Sequence, residues 1–264
     1  MALTKVIGAG LGAVTQDGAA TFNEGSADVD FRVESNSNAN MLFVNGGTDK
    51  VGINTNSPTG MLTIDSGFLQ VDVSGTQGIR VGSTDQIAGG TTNDGAIQSA
   101  TSKAIRFYNG GTESMRIRSD GSVTMPLQPA FSATRSSTLA NFATNSMVTI
   151  NLNSEVYDQN GDFSDPNFTA PVTGKYQLSA IWYMNALDIS AAYYILRIST
   201  SNRTYDHVVD SSARDEDETY SSYTLSVLAD MDASDTASIA LFQQDGAAQT
   251  DITGGTYFTG YLVC

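Results

Sequence analysis

The fold is decided by the stretch Phe168-Thr169-Ala170-Pro171-Val172-Thr173-Gly174-Lys175-Tyr176, which encodes a strand, a turn and a second strand. Pro171 fixes its own φ and lacks an N–H donor, so it favours the end of a strand. Gly174 has access to the left-handed backbone conformations that tight turns use. The second strand then presents one apolar face through alternating residues, namely Tyr176, Leu178 and Ala180. We therefore predict two consecutive strands that are joined at this turn.

Further strand-like segments flank the turn, at residues 130–133, 147–151 and 257–263. Five residues separate Phe168 from Gly174, and the chain ends with the pattern Phe258-x-Gly260-x-Leu262. In this order the segments resemble the C1q-like globular head, a relative of the tumour necrosis factor fold. The resemblance covers the chain from about Pro126 onward. It implies a ten-stranded antiparallel jelly-roll head with both termini at its base, and assembly as a homotrimer.

An internal repeat occupies the first half of the chain. Residues 43–53 (FVNGGTDKVGI) align without gaps with residues 107–117 (FYNGGTESMRI). Asn-Gly between runs of strand formers favours a type I′ hairpin turn, and Asp120-Gly121 predicts a further turn. An isolated hairpin is marginally stable, so we expect three chains to bury these strands together. The polar segment 84–102 predicts a loop.

The same region resembles repeats of bacteriophage fibre and tail-appendage proteins, in segments 30–35, 41–47, 51–58 and 115–123. This resemblance implies an all-β chain in which an intertwined β-hairpin shaft precedes the head. We predict a virion-attachment segment over residues 1–25, a repeat-containing β shaft over 26–125 and the jelly-roll head over 126–264. The first segment is expected to bind other virion proteins.

Charge limits the partners of the chain. The 264 residues carry a net charge of −15, and −11 of it falls from residue 126 onward. Because Lys and Arg form no cluster, nucleic acid is not expected as a partner. No apolar run is long enough for membrane insertion, and residues 1–11 lack the hydrophobic core of a secretory signal. We therefore expect a virion protein that is made in the host cytoplasm. Cys264 is the only cysteine, so no intrachain disulfide forms.

The densest charge lies between two predicted strands and is followed by tyrosines. A solvated loop explains an acidic run, and contact with a receptor is the functional alternative. On the second view we predict receptor contacts at Asp215, Glu216, Asp217, Glu218, Tyr220 and Tyr223. No regular calcium-binding loop is present, so a divalent cation such as calcium stays an open alternative without assigned ligands. A weaker candidate set is Asp158, Asp162 and Asp165.

Catalytic motifs are missing from the sequence. His207 is the only histidine and has no recognisable nucleophile motif beside it, and one His with one Cys is too few for an ordinary zinc site. No Gly-rich phosphate-binding loop with its Lys is present. We predict no catalytic residue, no cofactor-binding residue and no cofactor. Trp182 shares the face of Tyr176 and is expected in the core, whereas Tyr183 is expected to contact neighbouring chains.

These observations predict a structural fibre or appendage protein of a bacteriophage virion. Its trimeric head is expected to adhere to a glycan or protein of the host cell surface, and it is not expected to be an enzyme. Three alternatives stay open: a capsid fibre or decoration protein with a mainly structural role, a secreted lectin-like recognition protein, and a polysaccharide hydrolase on a fibre. The sequence leaves tail and capsid attachment equally open.

Overall fold

The computed structural model describes residues 28–73, 76–88, 94–211 and 214–264. The chain divides into two compact units, Met1–Ile105 and Arg106–Cys264. The attachment segment predicted over residues 1–25 lies outside the described residues, and the predicted segment boundaries stay predictions. Strands dominate both units, and the described residues contain a single short helix. The predicted all-β class is confirmed.

The first sheet of the N-terminal unit contains four strands: β1 (Phe31–Val33), β2 (Leu42–Asn45), β3 (Lys50–Ile53) and β4 (Leu62–Ile64). The first repeat copy forms the β2–β3 hairpin, as predicted. Its turn is not the predicted type I′, because four residues separate the strands and the positive φ falls on Asp49. Gly46 N–H donates to Asp30 Oδ1 at 3.0 Å, and Asn45 Oδ1 accepts from Thr48 N–H at 2.8 Å. These side-chain contacts hold the wider loop.

The second sheet contains β5 (Leu69–Val73), β6 (Thr76–Ser83) and β7 (Gly95–Ser99), all antiparallel. Helix α1 (Thr84–Ala88) follows β6, so the predicted loop over 84–102 is wrong at the helix and at β7. The helix covers one face, where Ile87 is buried and a Cβ on Gly82 would contact Phe68 and Ile87. The other face exposes five aliphatic side chains and is called the aliphatic face: Leu69, Val71, Ile79, Val81 and Ile97.

The second repeat copy forms a three-stranded meander of β8 (Ile105–Asn109), β9 (Thr112–Ile117) and β10 (Val123–Thr124). Here the hairpin is tight, because only Gly110 and Gly111 separate β8 from β9 and both have positive φ. That pattern is typical of a type I′ turn, although it falls on Gly-Gly and not on Asn-Gly. The predicted turn at Asp120-Gly121 is confirmed, with Gly121 at φ 85° and Asp120 Oδ1 accepting from Ser122 N–H at 2.9 Å.

The head consists of two antiparallel sheets that pack face to face. Their strands are β11 (Ala130–Thr134), β12 (Val148–Thr149), β13 (Ser154–Asp158), β14 (Phe163–Ser164), β15 (Asn167–Thr169), β16 (Gly174–Leu187), β17 (Tyr193–Thr200), β18 (Thr204–Val209), β19 (Glu218–Met231), β20 (Thr236–Gln244), β21 (Asp251–Ile252) and β22 (Tyr257–Leu262). The first sheet has the order β13-β11-β22-β16-β19, and the second has the order β14-β15-β20-β17-β18. β21 adds to β16 and β12 adds to β20. The ten strands of the two main paths form the predicted jelly roll.

Both ends of the head lie together at its base. Ala130 at the start of β11 pairs with Tyr261 near the end of β22. The chain therefore enters and leaves the head at one end, as predicted, and the loops of the opposite end lie away from both termini.

The core joins the two sheets through aromatic rings. Phe168 on β15 stacks on Phe131 of β11, with centroids 4.5 Å apart, and it lies 5.5 Å from the ring of Tyr176 on β16. All three side chains are fully buried. Trp182 is fully buried as well, which confirms its predicted place in the core. The opening stretch of the sequence thus supplies the ring that links the sheets.

Gly174 has a different role from the one predicted. Its φ is not positive, and it is the first residue of β16. A Cβ at this position would lie 2.5 Å from Cys264 O and 2.7 Å from Leu262 Cδ1. Glycine is required here because β22 and the residues after it approach the backbone closely. The adjacent Lys175 N–H donates to Cys264 O at 2.7 Å.

Candidate binding surface at the distal end of the head

The predicted receptor-contact residues lie at the end of the head opposite its termini. Strand β16 begins at the base with Gly174 and ends at Leu187, which pairs with Glu218 at the start of β19. Three loops meet at this distal end and are called the distal loops: residues 188–192, 210–217 and 245–250. Residues 212 and 213 of the second loop are outside the described residues.

A buried carboxylate joins the first and third distal loops. Asp188 is 3% exposed, and its Oδ1 accepts from Ser190 N–H at 2.8 Å. Its Oδ2 accepts from Ala247 N–H in the third loop. The backbone N–H of Asp188 donates to Tyr194 OH at 3.0 Å, and Thr250 Oγ1 shares a 2.8 Å hydrogen bond with the same hydroxyl. A buried charge is tolerated when it is hydrogen-bonded in this way, and these bonds fix both loops.

Asp217 joins the second loop to the other two. Its Oδ1 accepts from Ile189 N–H at 3.0 Å, and its Oδ2 accepts from Gln249 Nε2 at 2.7 Å. The hydrogen bond from Ile189 and then that from Gln249 lower the pKa of Asp217 below its ordinary value. Asp217 is therefore ionised at neutral pH, and its carboxylate is held in a fixed position.

The remaining charge of the acidic run is partly paired. Glu218 forms an ion pair with Arg214 and accepts from Ser221 Oγ. Arg214 Nη2 also donates to Tyr223 OH at 2.6 Å. Asp215 and Glu216 are exposed in the loop. Within the acidic run, Asp215 and Glu216 are therefore solvated, whereas Glu218 is held by specific contacts.

Tyr220 and Tyr223 lie on opposite faces of β19, so the structure does not bring all six predicted residues together. Tyr223 faces the interior between the sheets, and its ring meets His207 edge-on at 6.2 Å. Tyr220 faces outward and is 65% exposed. Its ring lies nearly parallel to that of Tyr183, at a centroid distance of 6.3 Å and an angle of 15°.

An open cavity of about 350 Å³ lies beside Tyr220 and is called the distal depression. It is lined by Asn185, Ala186, Asp217, Glu218, Thr219, Tyr220 and Gln249. Three of the six predicted residues line it, namely Asp217, Glu218 and Tyr220. Asn185 and Gln249 were not predicted, because strand pairing and a distant loop bring them there. Asn185 Oδ1 is shielded from water and has no hydrogen-bond partner among the described residues.

The weaker acidic set has structural roles in the head. Asp158 accepts hydrogen bonds from three backbone N–H groups, those of Gly161, Asp162 and Phe163, at 2.8–3.1 Å. Asp165 Oδ1 accepts from Leu152 N–H at 2.6 Å. Burial, and then the charge of Asp158, raise the pKa of Asp162. Within the described ranges no three His, Cys, Asp or Glu side chains form a group that holds a metal ion.

In the part of the chain that the structure describes, no helix is long and apolar enough to cross a membrane. No protein-family model matches the chain, and no curated protein matches it. Similar solved structures include the globular domain of zebrafish complement 1qA protein, with 20% identity over 52% of this chain and 98% of that chain and a TM-score of 0.40. Murine APRIL at pH 8.0 has 9% identity, coverages of 52% and 99% and a TM-score of 0.38. PRD1 vertex protein P5 has 12% identity, coverages of 52% and 96% and a TM-score of 0.33. In each case the similarity covers about half of this chain.

Proposed function

We propose that the chain is a homotrimeric fibre or appendage protein of a bacteriophage virion, and that its head adheres to a component of the host cell surface. On this proposal it binds other virion proteins through residues 1–25, takes no cofactor and carries out no covalent chemistry. The observation that carries the proposal is the aliphatic face, an apolar surface that is exposed in the part of the chain that the structure describes. The fixed distal loops support the adhesive role.

The aliphatic face is unusual for a lone chain. Its five side chains are 37–55% exposed, and they are cross-strand neighbours: Val81 pairs with Leu69 and Ile97, and Val71 pairs with Ile79. Helix α1 covers only the opposite face. Contiguous exposed apolar side chains of this kind mark surfaces that another chain covers. Second and third copies of the chain supply such cover in a trimeric shaft.

The head offers a second surface for its copies, on the outer side of the sheet that contains β16. Its central positions carry no charged side chain although the head has a net charge of −11: Ser132, Thr134, Gln177, Ser179, Ile181, Tyr183, Ser222, Thr224, Ser226, Leu228, Tyr257, Thr259 and Tyr261. Ile181, Leu228 and Tyr261 are exposed on it. This surface is called the uncharged face. Charge depletion with enrichment in Tyr is typical of interface cores.

Light scattering of the full chain tests the trimer. We expect a mass of three times 27.9 kDa. The double variant Val81→Asp/Tyr261→Asp places a charge on each face, and we expect it to dissociate to single chains on dilution, because a buried unpaired charge is costly. The control Thr101→Asp/Val172→Asp adds the same charge at exposed turn positions and should stay trimeric. A wild-type mass of one chain would overturn the trimer.

Adhesion is tested with fluorescently labelled full chain on host cells. We expect saturable binding and competition with adsorption of the virus. Binding without competition, or no binding, would favour the coat role of a capsid fibre or decoration protein. Release of sugar from host envelope material would instead support the hydrolase alternative. Antibody labelling of imaged virions then distinguishes attachment to the tail from attachment to the capsid.

A further inference from the structure

We propose that the distal depression is a binding site for a neutral pyranose sugar, which stacks on the Tyr220 ring and hydrogen-bonds to the polar side chains of the rim. This inference rests on the proposed adhesive function and names the ligand class of its site. Four features of the described residues support it: an aromatic platform, a rim of mixed donors and acceptors, an acidic surrounding and a fixed scaffold.

The platform is the exposed ring of Tyr220. Because the Tyr183 ring lies nearly parallel beside it, Tyr220 is held against β16 while most of its surface faces solvent. A pyranose ring has an apolar C–H face and a hydroxylated edge. An exposed aromatic ring next to polar groups is complementary to both parts of the sugar. The aromatic ring packs against the C–H face, and the polar side chains of the rim hydrogen-bond to the hydroxyls.

The rim supplies groups that hydrogen-bond hydroxyls. Asn185 and Gln249 carry both donors and acceptors, and Thr219 adds a hydroxyl. Each carboxylate oxygen of Asp217 accepts one hydrogen bond, from Ile189 N–H and from Gln249 Nε2. These bonds hold the carboxylate in position, and each oxygen keeps a lone pair that can accept a sugar hydroxyl. The Asn185 side chain lies at this rim, and its Oδ1 has no hydrogen-bond partner among the described residues. The volume of about 350 Å³ is at the small end of ligand pockets.

Charge selects a neutral sugar over an acidic one. Asp217 and Glu218 line the depression, and Asp215 and Glu216 are exposed in the same loop, so sialic acids, uronic acids and phosphosugars are repelled. A metal ion is not part of the proposed site, because Glu218 is already paired with Arg214 and Ser221 and no three His, Cys, Asp or Glu side chains of the described residues form a group that could hold one. The hydrogen bonds of Asp188 and Asp217 hold the lining residues in place before a ligand arrives, which lowers the ordering cost of binding.

A panel of immobilised oligosaccharides tests the ligand class with the full chain. It contains neutral glycans of glucose, galactose, mannose and N-acetylhexosamines, together with sialylated and uronic-acid glycans. We expect binding to members of the neutral set alone, in the presence and absence of EDTA. Binding restricted to acidic glycans, binding that requires a divalent cation, or no binding to any glycan would overturn the proposal.

Variants of the platform test the site. Tyr220→Ala should weaken binding by about tenfold, since a lost aromatic stacking contact is worth up to about one order of magnitude in affinity. Tyr220→Phe keeps the ring and should bind within about twofold of wild type, as should the control Tyr108→Ala at another exposed tyrosine. Light scattering accompanies each variant. Dissociation of Tyr220→Ala to single chains would assign Tyr220 to the trimer contact and overturn the proposal.

Cell binding separates this inference from the proposed function. Periodate oxidation of the cells destroys vicinal diols of sugars, whereas protease treatment removes surface proteins. We expect periodate to abolish binding of the labelled chain and protease to spare it. If wild type and Tyr220→Ala bind cells equally, or if protease abolishes binding and periodate does not, the adhesive function is supported and the sugar site is refuted. If the chain binds neutral glycans on the panel but does not bind cells, the sugar site is supported and the adhesive function is refuted.

Discussion

Replacement of Phe168 by alanine removes the ring that connects the two sheets of the head. Phe168 is fully buried and touches Phe131 and Tyr176, both on the other sheet. Burial of a phenylalanine ring in such a core is worth about 3–5 kcal/mol on truncation to alanine. The two ring pairs account for about 0.5–1.5 kcal/mol each within that total. Phe168→Leu keeps most of the apolar volume and should cost about 1–2 kcal/mol.

Urea unfolding of the full chain, followed by tryptophan fluorescence, measures this loss. Trp182 is the only tryptophan and is fully buried in the same core, so its emission reports on the head alone. All variants are compared at one protein concentration, because association contributes to stability. Val172→Ala, an exposed position in the same turn, is the matched control. A loss below about 1 kcal/mol for Phe168→Ala, or one no larger than the control's, would refute a role for this ring in joining the sheets.

Three further predictions use the same unfolding assay. Gly174→Ala should destabilise the head by about 1–3 kcal/mol, because its Cβ meets Cys264 O. The exposed control Val172→Ala in the preceding turn should leave the midpoint nearly unchanged, and equal midpoints for the two variants would contradict the close approach. The pKa of Asp162 is raised in the folded head, so the ionised carboxylate opposes folding, and the lost stability is regained as pH falls through the folded-state pKa. Asp162→Asn should therefore stabilise the head at about pH 7. At about pH 3, where Asp162 is protonated, the variant should be no more stable than wild type. Asp158→Asn should destabilise at neutral pH, since Asp158 accepts three backbone N–H groups.

The jelly roll was predictable because its strands are long and alternate clearly. In β16 the buried positions recur at every second residue from Tyr176 to Met184, which is the pattern that the sequence shows. Helix α1 and β7 were not predictable in the same way. A five-residue helix is too short for a helical period, and β7 contains Gly, Ala and Ser beside a single Ile. Their positions follow from packing against β6.

The two repeat copies demonstrate how tertiary contacts change a local preference. Both contain Phe-x-Asn-Gly-Gly-Thr, yet only the second forms a two-residue turn, at Gly110 and Gly111. In the first copy a Cβ on Gly46 would meet the Val29 backbone, and Asp30 accepts the Gly46 N–H. The chain segment before β1 therefore packs on this turn and opens it. No feature within the repeat predicts that contact.

The candidate site was predictable only in part. The acidic run and Tyr220 lie close in sequence, so they could be grouped from the sequence alone. Gln249 joins them through a hydrogen bond to Asp217 across 32 positions, and Asn185 joins them through its pairing with Tyr220. Tyr223 is three positions from Tyr220, and because strand faces alternate it lies inside. Once the boundaries of β19 are known, the two-residue period of a strand predicts that Tyr220 and Tyr223 lie on opposite faces.

The arrangement of charge and rigidity favours adhesion through several weak contacts. The proposed trimer presents three distal depressions, and contact through the uncharged face would bring three heads with a charge of −11 each together without like charges at the contact. A small open site gives weak single contacts, and linked sites raise the overall affinity by about 10²–10⁴ when their spacing fits the target. That gain depends on fixed spacing. In the proposed function, the hydrogen bonds of Asp188 and Asp217, which join the distal loops, are therefore as important for adhesion as the groups proposed to touch the sugar.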